Sequence, residues 1–515
     1  MTHSKPVRRS PLRSLAGAAA VVVGLVLSGC TAGPDTGAVT APPEVIGEVP
    51  ENLQEFYTQE ITWEECEGEF ACATVKVPLD YSDPGRQSID IAAIRLDASG
   101  EPQGSLLMNP GGPGVSGYNT VRDSAEFLLS DRLRQSYDVI GFDPRGINRS
   151  SAVECLTDEE REEARTETIP PDATDEEAIA LIEEDSAEYA ELCAERSGEL
   201  LGYIDTVSAA KDMDILRALV GDEKLNYLGF SYGTQLGAAY AGLFPEKVGR
   251  LVLDGAVDPS LSSAEITAGQ VAAFDEALRS YIADCQSQSD CPLPGDVEEG
   301  VSVVDDLFES VEASPMTASD GRLVTIGTFF QGFVLPLYDS GSWPALTGAI
   351  DRALQGDPTE FLRFADLSAE RQPTGEYLTN ASDAFTAVTC LDYPMSADPE
   401  TMAAEAEALE ASSEVFGEYL SYGALACENW EYEPVNEPAP ASAPGAPPMV
   451  VIGTTGDPAT PYEWSLALAD QLESAVHVTW EGQGHTAYGR SGECIESLVD
   501  DFLIDGTVPD DGARC

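Results

Sequence analysis

Short apolar runs bounded by glycine or proline recur along the chain, separated by longer stretches with apolar residues at helical spacing. Such runs are typical of buried strands, and helical stretches between them predict a mostly parallel sheet covered by helices on both faces. The chain is therefore predicted to have an α/β fold. The predicted strands lie at residues 73–77 and 89–96 and in GSLLMNPGGPG, YDVIGFDPRG, LNYLGFSYG, VGRLVLDGAVDP, PMVVIGTTGDPATP and AVHVTWEGQGH.

Two long stretches interrupt this alternation. Residues 156–200 are rich in Asp, Glu and Ala, with apolar residues at helical intervals, which predicts a helical excursion. Residues 260–445 separate two predicted strands by far more chain than an ordinary crossover needs, and they end in the Pro/Ala-rich segment PVNEPAPASAPGAPP. We therefore expect a large, mainly helical cap (lid) domain at 260–445, inserted between the two parts of a core domain at 55–259 and 446–515.

The N-terminal segment has the pattern of an export signal. Basic residues precede the apolar run LAGAAAVVVGLVL, which is too short for a comfortable membrane span. The following LSGC resembles the bacterial lipoprotein site at which cleavage precedes a cysteine that is then acylated. We expect a signal peptide at 1–29, a lipid on Cys30 and a flexible tether over 30–54. The protein would be exported and lipid-anchored on the outer face of the cytoplasmic membrane; an ordinary secretory signal is the alternative.

The net charge of −64 narrows the range of partners. A strongly acidic chain is repelled by nucleic acid, so we expect no nucleic-acid partner. Acidic residues of this abundance are typical of a solvated surface, and they can also attract a cationic substrate.

The cysteines indicate disulfides. Without Cys30 ten cysteines remain, an even number in a chain expected to be exported. Neighbour pairing is our prediction, although other connectivities stay open. With no CxxC spacing and only three histidines, we expect no metal site and no cofactor. The predicted pairs are Cys66–Cys72, Cys155–Cys193, Cys285–Cys291, Cys390–Cys427 and Cys494–Cys515.

The segment LNYLGFSYGTQLGAAYAG places a serine between two glycines, where a predicted strand meets a predicted helix. Gly-x-Ser-x-Gly in this setting is the nucleophile elbow: a turn so tight that the flanking positions must lack bulk. Ser231 is the candidate nucleophile, and the N–H of Tyr232 is then free to donate to an oxyanion. A tight turn without chemistry is the alternative for the motif alone.

A serine nucleophile needs a base, and the base needs an orienting acid. His485 is the candidate base because it lies in the glycine-flanked loop EGQGHTAYG after the last predicted strand, whereas His477 is expected to be a sheet residue and His3 belongs to the signal. Asp457, in GTTGDPATP, is the preferred acid. Asp254, in LVLDG, is the alternative and is expected to fix the exit of the chain into the cap.

Stabilising the oxyanion requires a second N–H. The segment NPGGPG, residues 109–114, follows an early predicted strand, and its glycines allow the backbone to approach a ligand closely. Gly112 is the candidate donor.

These segments together resemble a known family. NPGGPG, GFDPRG, LNYLGFSYGTQLGAAYAGLFPEKVGRLVLDGAVDP, GDPATP and GQGHTAYG are similar to the secreted and lipoprotein tripeptidyl aminopeptidases of actinobacteria, over about residues 55–515. These are α/β-hydrolase-fold serine peptidases related to proline iminopeptidase. The loop here begins with Asn109 rather than the histidine of proline iminopeptidases, which agrees with the tripeptidyl branch.

The resemblance implies an exopeptidase that releases short peptides, often tripeptides, from substrates with a free N-terminus. It assigns Ser231 as nucleophile, Asp457 as acid and His485 as base, with backbone N–H groups of Gly112 and Tyr232 as oxyanion donors. In the related iminopeptidases cap carboxylates bind the substrate's ammonium group, but this cap has too many acidic residues for the sequence to choose among them.

Two other functions stay open on the sequence. An esterase or lipase would use the same three residues with an apolar acyl pocket. A non-catalytic, lipid-anchored protein would bind peptides without cleaving them. In each case we expect a monomer that meets the membrane only through its lipid.

Overall fold

The computed structural model describes residues 49–170 and 173–515. The predicted signal peptide, the predicted lipidation site Cys30 and most of the predicted tether lie outside the described residues. A 3-10 turn at Glu51–Leu53 and a short helix already occupy the end of the segment predicted to be a tether.

The strands of the described residues are β1 (Glu64–Cys66), β2 (Phe70–Pro78), β3 (Ser88–Leu96), β4 (Ser105–Asn109), β5 (Asp138–Phe142), β6 (Leu225–Phe230), β7 (Val248–Asp254), β8 (Met316–Thr317), β9 (Leu323–Val324), β10 (Met449–Gly456), β11 (Ala475–Gln483) and β12 (Ala513–Arg514).

Helices occupy most of the intervening chain, and many begin with a Ser, Thr or Asp side chain that accepts a backbone N–H of the first turn. The α-helices are α1 (Gln54–Tyr57), α2 (Gly117–Leu128), α3 (Asp131–Ser136), α4 (Asp158–Ala164), α5 (Asp175–Ser197), α6 (Thr206–Leu219), α7 (Tyr232–Leu243), α8 (Ser263–Gln286), α9 (Val297–Ala313), α10 (Ile326–Val334), α11 (Trp343–Leu354), α12 (Thr359–Ser368), α13 (Ala381–Asp392), α14 (Pro399–Ser412), α15 (Leu425–Glu428), α16 (Tyr462–Gln471) and α17 (Glu493–Asp505). The further 3-10 turns are Gly198–Tyr203, Pro245–Lys247, Leu335–Tyr338, Ser340–Ser342 and Glu418–Leu420.

One sheet organises the molecule. Its strand order is β1-β2-β3-β5-β4-β6-β7-β10-β11-β12. The pairs from β1 to β5 are antiparallel, and every pair from β5 through β12 is parallel. The mostly parallel sheet predicted from the sequence is confirmed. Because parallel strands end at the same edge, the loops after β4, β6, β7, β10 and β11 meet there, which is where ligands bind in open α/β sheets.

All eight predicted strands are present, each within or overlapping the segment that predicted it. The prediction missed β1, β12 and the hairpin of β8 and β9. These elements are two or three residues long, and β1 begins with two glutamates, so neither length nor apolar pattern marks them.

Buried apolar residues form separate clusters on the sheet and in the inserted segment. Two clusters involve the sheet strands and the helices packed on them. A third lies within residues 274–416 and contains T-shaped pairs of Phe308 with Phe329 and with Phe333, each with ring centroids 5.0 Å apart. Much of the segment between β7 and β10 therefore has a core of its own, which supports the inserted cap inferred from its length, whereas the buried side chains of α13 belong to a sheet cluster.

The acidic excursion forms α4 and α5 and joins the inserted segment through charged contacts. Arg161 of α4 donates to Asp383 of α13 at 2.6 Å, and Glu162 pairs with Arg371 at 2.5 Å. The excursion and the cap thus contact each other directly, which their separation in sequence does not indicate.

The structure pairs the ten described cysteines as predicted, each with its neighbour in sequence. Over residues 49–170 and 173–515, every helix is too short or too polar to cross a membrane.

Candidate active site

Ser231 lies in the turn between β6 and α7 with a backbone φ of +55°, a conformation that non-glycine residues rarely adopt. A side chain on Gly229 would place its Cβ 2.4 Å from the carbonyl oxygen of Gly233. A Cβ on Gly233 would lie 2.7 Å from the carbonyl oxygen of Asn109. Both glycines of the motif are therefore required by close backbone approach, and the turn is the strained elbow that the sequence predicts.

Asp457 and His485 form a hydrogen-bonded pair. They follow β10 and β11, which are adjacent in the sheet, and His485 Nδ1 lies 2.8 Å from Asp457 Oδ1 and 2.9 Å from Oδ2. Asp457 is 3% exposed and also accepts the N–H groups of Ala459 and Thr460. This carboxylate orients the imidazole so that Nε2 is left for other chemistry.

Thr460, three residues after Asp457, also contacts this pair. Its hydroxyl donates to Asp457 Oδ2 at 3.1 Å and lies 3.3 Å from His485 Nδ1. His477 lies within β11, where Nε2 meets the Ser465 hydroxyl at 2.9 Å, in agreement with the sheet position predicted for it.

Asp254 has a different role from the predicted one. It was expected to fix the exit of the chain into the cap, but its carboxylate accepts the N–H of Ala487 at 3.0 Å and that of Tyr488 at 2.7 Å. It thus binds the loop that carries His485. Burial raises the pKa of this carboxyl to about 6, although the two N–H groups favour the charged form.

Asp254 and Gly255 also link the nucleophile to the base. The carbonyl oxygen of Asp254 accepts the N–H of Ser231 at 2.9 Å. A Cβ on Gly255 would lie 3.2 Å from His485 Cε1 and 2.9 Å from Thr486 Cγ2. Only a glycine at this position lets the histidine loop approach the end of β7 so closely, next to the strand that carries Ser231.

The loop after β4 approaches the same point. Gly111 donates its N–H to Asn109 Oδ1 at 2.9 Å, and a Cβ on Gly111 would lie 2.8 Å from Ser231 Cβ. Within the described residues, no acceptor is found for the N–H of Gly112 or of Tyr232, and both residues line the cavity at Ser231. The two predicted oxyanion donors are therefore placed together beside the nucleophile.

The cavity at Ser231 has a volume of about 330 Å³ and is lined mainly by apolar side chains. Gly112, Ser231 and Tyr232 line it, together with Trp464 and with Phe385 and Met395 of the inserted segment. An adjoining cavity of about 290 Å³ shares several lining residues with it and contains one carboxylate, Glu405. Together they provide space for more than a single amino acid next to the nucleophile.

Asp392 is the one carboxylate that lines the cavity at Ser231 in the described chain, and sequence analysis did not find it. It accepts the N–H and the hydroxyl of Thr206 and an amide N–H of Asn436, the latter at 2.6 Å. Burial raises its pKa to about 6. No motif marks it, because it is one acidic residue in a cap that contains many.

Tyr338, also missed from the sequence, joins the cap to the histidine loop. Its carbonyl oxygen accepts the N–H of His485 at 2.8 Å, and its ring lies edge-on to the imidazole with centroids 5.5 Å apart. Arg490 donates to the same carbonyl oxygen at 3.0 Å. Cap residues thus contribute directly to the position of the base.

No group of three or more His, Cys, Asp or Glu side chains in the described part of the chain is arranged to hold a metal ion.

The strand order, the elbow at Ser231 and the Asp457–His485 pair define an α/β-hydrolase-fold serine hydrolase. A family model described as TAP-like protein matches residues 413–515. The chain is 33% identical over 523 residues to Serine protease Hip1 of Mycobacterium tuberculosis, covering 97% of this chain and 96% of that protein. It is 35% identical over 454 residues to Carboxylesterase B of the same organism (86% of each chain). It is 30% identical over 476 residues to Tripeptidyl aminopeptidase of Streptomyces lividans (88% and 86%). The chain belongs to this TAP-like family of serine hydrolases.

Proposed function

We propose that this protein is a serine exopeptidase that releases short peptides, of three residues in the first instance, from the free N-terminus of peptide substrates. The observation that carries the proposal is the Asp457–His485 pair, whose loop is linked through Asp254 to the strained Ser231, together with a cavity that Ser231 and the cap both line. Two relatives named serine protease and tripeptidyl aminopeptidase support it.

The chemistry is acyl transfer. His485 Nε2 takes the proton of Ser231 as its oxygen attacks the scissile carbonyl carbon, and Asp457 stabilises the imidazolium that forms. The N–H groups of Gly112 and Tyr232 stabilise the oxyanion, and one such donor contributes about 3 kcal/mol in comparable enzymes. The imidazolium then protonates the leaving amine. Water, activated by the same imidazole, hydrolyses the ester and frees Ser231.

The choice of an exopeptidase rests on the cap and on charge. The cap helices cover the cavity and limit how much peptide fits before the scissile bond. The substrate's N-terminus carries an ammonium group, and this protein has a net charge of −64 with Asp392 in the cavity wall. A negative field favours such an end group over a blocked one.

An esterase is the second candidate. The cavity lining is mainly apolar, Asp392 is already bonded to Thr206 and Asn436, and one relative is named Carboxylesterase B. An acyl group without charge would fit such a lining.

The deciding experiment uses four substrates: Ala-Ala-Pro-arylamide, its N-succinyl derivative, Pro-arylamide and a short acyl ester, with Ser231→Ala as the control. Efficient cleavage of the free tripeptide but not of the succinyl derivative supports the exopeptidase. Equal rates on both indicate an endopeptidase, and cleavage of the ester alone indicates an esterase. If Ser231 does not react with a fluorophosphonate probe, the protein is a non-catalytic peptide-binding protein.

We also propose that the protein is an exported, monomeric lipoprotein, anchored through Cys30 to the outer face of the cytoplasmic membrane. The signal-like sequence before Cys30 and the disulfides of the folded part support this. Labelling of cells with a radioactive fatty acid should mark the wild-type chain and leave Cys30→Ala unlabelled. Sedimentation of the mature chain tests the monomer.

A further inference from the structure

The loop that carries His485 is held by its backbone N–H groups, one after another. The N–H of His485 donates to Tyr338, and that of Thr486 donates to Asp457 Oδ2 at 3.1 Å. The next two, of Ala487 and Tyr488, both donate to Asp254. Four consecutive donors are thus fixed by three acceptors, of which Asp254 takes two.

This loop requires such support because it is strained. Thr486 has a φ of +66°, which is uncommon for a β-branched residue. A residue in this region persists only when its surroundings over-determine it. Ala487 and Tyr488 are fully buried, so that without Asp254 their N–H groups would have neither a carboxylate nor water to accept them.

The same residue also holds the nucleophile. The carbonyl oxygen of Asp254 accepts the N–H of Ser231, whose φ is +55°. One residue at the end of β7 therefore contacts both strained segments, through its backbone on one side and its side chain on the other. Among the described residues, Asp457 accepts hydrogen bonds from its own loop and from the histidine loop, and none from the turn of Ser231.

We propose that Asp254 is a positioning residue that fixes the His485 loop relative to Ser231, and that it does so as a carboxylate. Two backbone N–H groups converge on this side chain. The two charged oxygens of a carboxylate accept them better than the neutral amide of an asparagine would. The charged groups that face it are Asp457 and, when protonated, His485. At pH 7.5 the pH exceeds its raised pKa of about 6, so the carboxylate form prevails.

The test uses Asp254→Asn and Asp254→Ala with p-nitrophenyl acetate as substrate. Acylation of the enzyme by this ester needs the serine and its base, and it does not depend on recognition of a peptide. We expect kcat to fall about 10-fold in Asp254→Asn and about 100-fold in Asp254→Ala, the range expected when reacting groups shift by about 1 Å. KM should change less than twofold, since Asp254 does not line the cavity.

The matched control is Asp222→Asn. Asp222 also accepts a backbone N–H, that of Ser105 at 2.9 Å, and burial also raises its pKa, but it lies at the opposite edge of the sheet. This variant should keep the wild-type kcat. Equal losses of kcat in Asp222→Asn and Asp254→Asn would reduce the role of Asp254 to general stability and overturn the proposal.

The remaining outcomes separate this proposal from the proposed function, on whose serine chemistry it rests. If Asp254→Ala does not fold, Asp254→Asn carries the test, and a wild-type kcat in that variant overturns the proposal. If the wild type cleaves the ester but no peptide, the exopeptidase is wrong while the Asp254 comparison still holds. If wild-type Ser231 does not react with ester or fluorophosphonate, both fail together.

Discussion

Carboxylates near the sheet edge and carboxylates at the junction of cap and excursion have different kinds of partner. Asp254 and Asp392 accept hydrogen bonds from backbone N–H, hydroxyl and amide groups, and neither forms an ion pair with an arginine or lysine in the described chain. At the junction, Asp383 pairs with Arg161 and Glu162 with Arg371.

The difference has an electrostatic consequence. At the junction, the Arg371 hydrogen bond lowers the pKa of Glu162, and the charges compensate each other. Near Ser231, burial raises the pKa values of Asp254 and Asp392 to about 6, and no arginine or lysine of the described chain pairs with either carboxylate to offset this. Charge at the junction therefore holds segments together, whereas charge at the site remains available to stabilise an imidazolium or to attract an ammonium group.

The largest effect is expected from a substitution in the active site that leaves the junction of cap and excursion unchanged. Ser231→Ala should lower kcat for the preferred arylamide by at least about 10⁴-fold, because the nucleophile is lost and only binding and the oxyanion donors remain. Its thermal unfolding should match the wild type, since alanine keeps the Cβ of Ser231 and takes up the same backbone conformation. A residual rate within tenfold of wild type would show that another group is the nucleophile.

The next largest effect is expected from a substitution at the junction that leaves the active site unchanged. Asp383 is 1% exposed and accepts from Arg161, from the N–H of Cys155 and from the Tyr189 hydroxyl. Asp383→Ala leaves these donors unpaired and should lower the free energy of unfolding by about 3 kcal/mol. Denaturant unfolding measures this, and kcat on the p-nitrophenyl ester should be retained.

The control for the junction is Glu360→Ala, which removes pairs with the exposed side chains of Arg352 and Arg363 and should change the free energy of unfolding by less than about 1 kcal/mol. If Asp383→Ala instead abolishes ester hydrolysis while remaining fully folded, the separation between junction and site is wrong.

The sequence predicted the sheet and the reacting residues for identifiable reasons. Strands such as β4, β5 and β6 are buried along almost their whole length, so their apolar composition is dictated by burial on both faces, whereas β2 alternates buried and exposed positions. The elbow at Ser231 is dictated by backbone contacts that only glycine permits. His485 followed from the scarcity of histidine, and Asp457 from the chain order of strand ends.

The contacts that the sequence did not reveal join residues far apart in the chain. Tyr338 meets His485 from 147 positions away, and Asp254 meets Ala487 across 233. Asp392 is joined to Thr206 across 186 residues. Neither periodicity nor a local motif reports which of many acidic residues the fold brings to the cavity.

A smaller effect sharpens the comparison within the site. The Thr460 hydroxyl contacts both Asp457 and His485, so Thr460→Val, which keeps the shape and removes the hydroxyl, should lower kcat about tenfold, or about 1.4 kcal/mol in the barrier. KM should stay within twofold. Thr460→Ser keeps the hydroxyl and should recover most of the rate; a Ser variant as slow as the Val variant would show that packing, not the hydrogen bond, is responsible.

The smallest effect tests whether the charge of the Asp392 carboxylate, which no arginine or lysine of the described chain pairs with, destabilises the folded protein. Burial raises the pKa of Asp392 from the ordinary range of an aspartate to about 6, so the folded protein binds this proton more tightly than the unfolded chain does. Its charge therefore destabilises the folded protein above pH 6, and the loss is relieved as the pH falls through that value. From this group we expect a gain of about 1 kcal/mol in the free energy of unfolding when the pH falls from 7.5 to 5.

Asp392→Asn cannot take up the proton. In urea unfolding, its free energy of unfolding should therefore change less with pH than that of the wild type, by the same amount. Parallel curves for the two proteins would mean that Asp392 is no more than an ordinary carboxylate, and that the contrast with the arginine-paired junction does not extend to it.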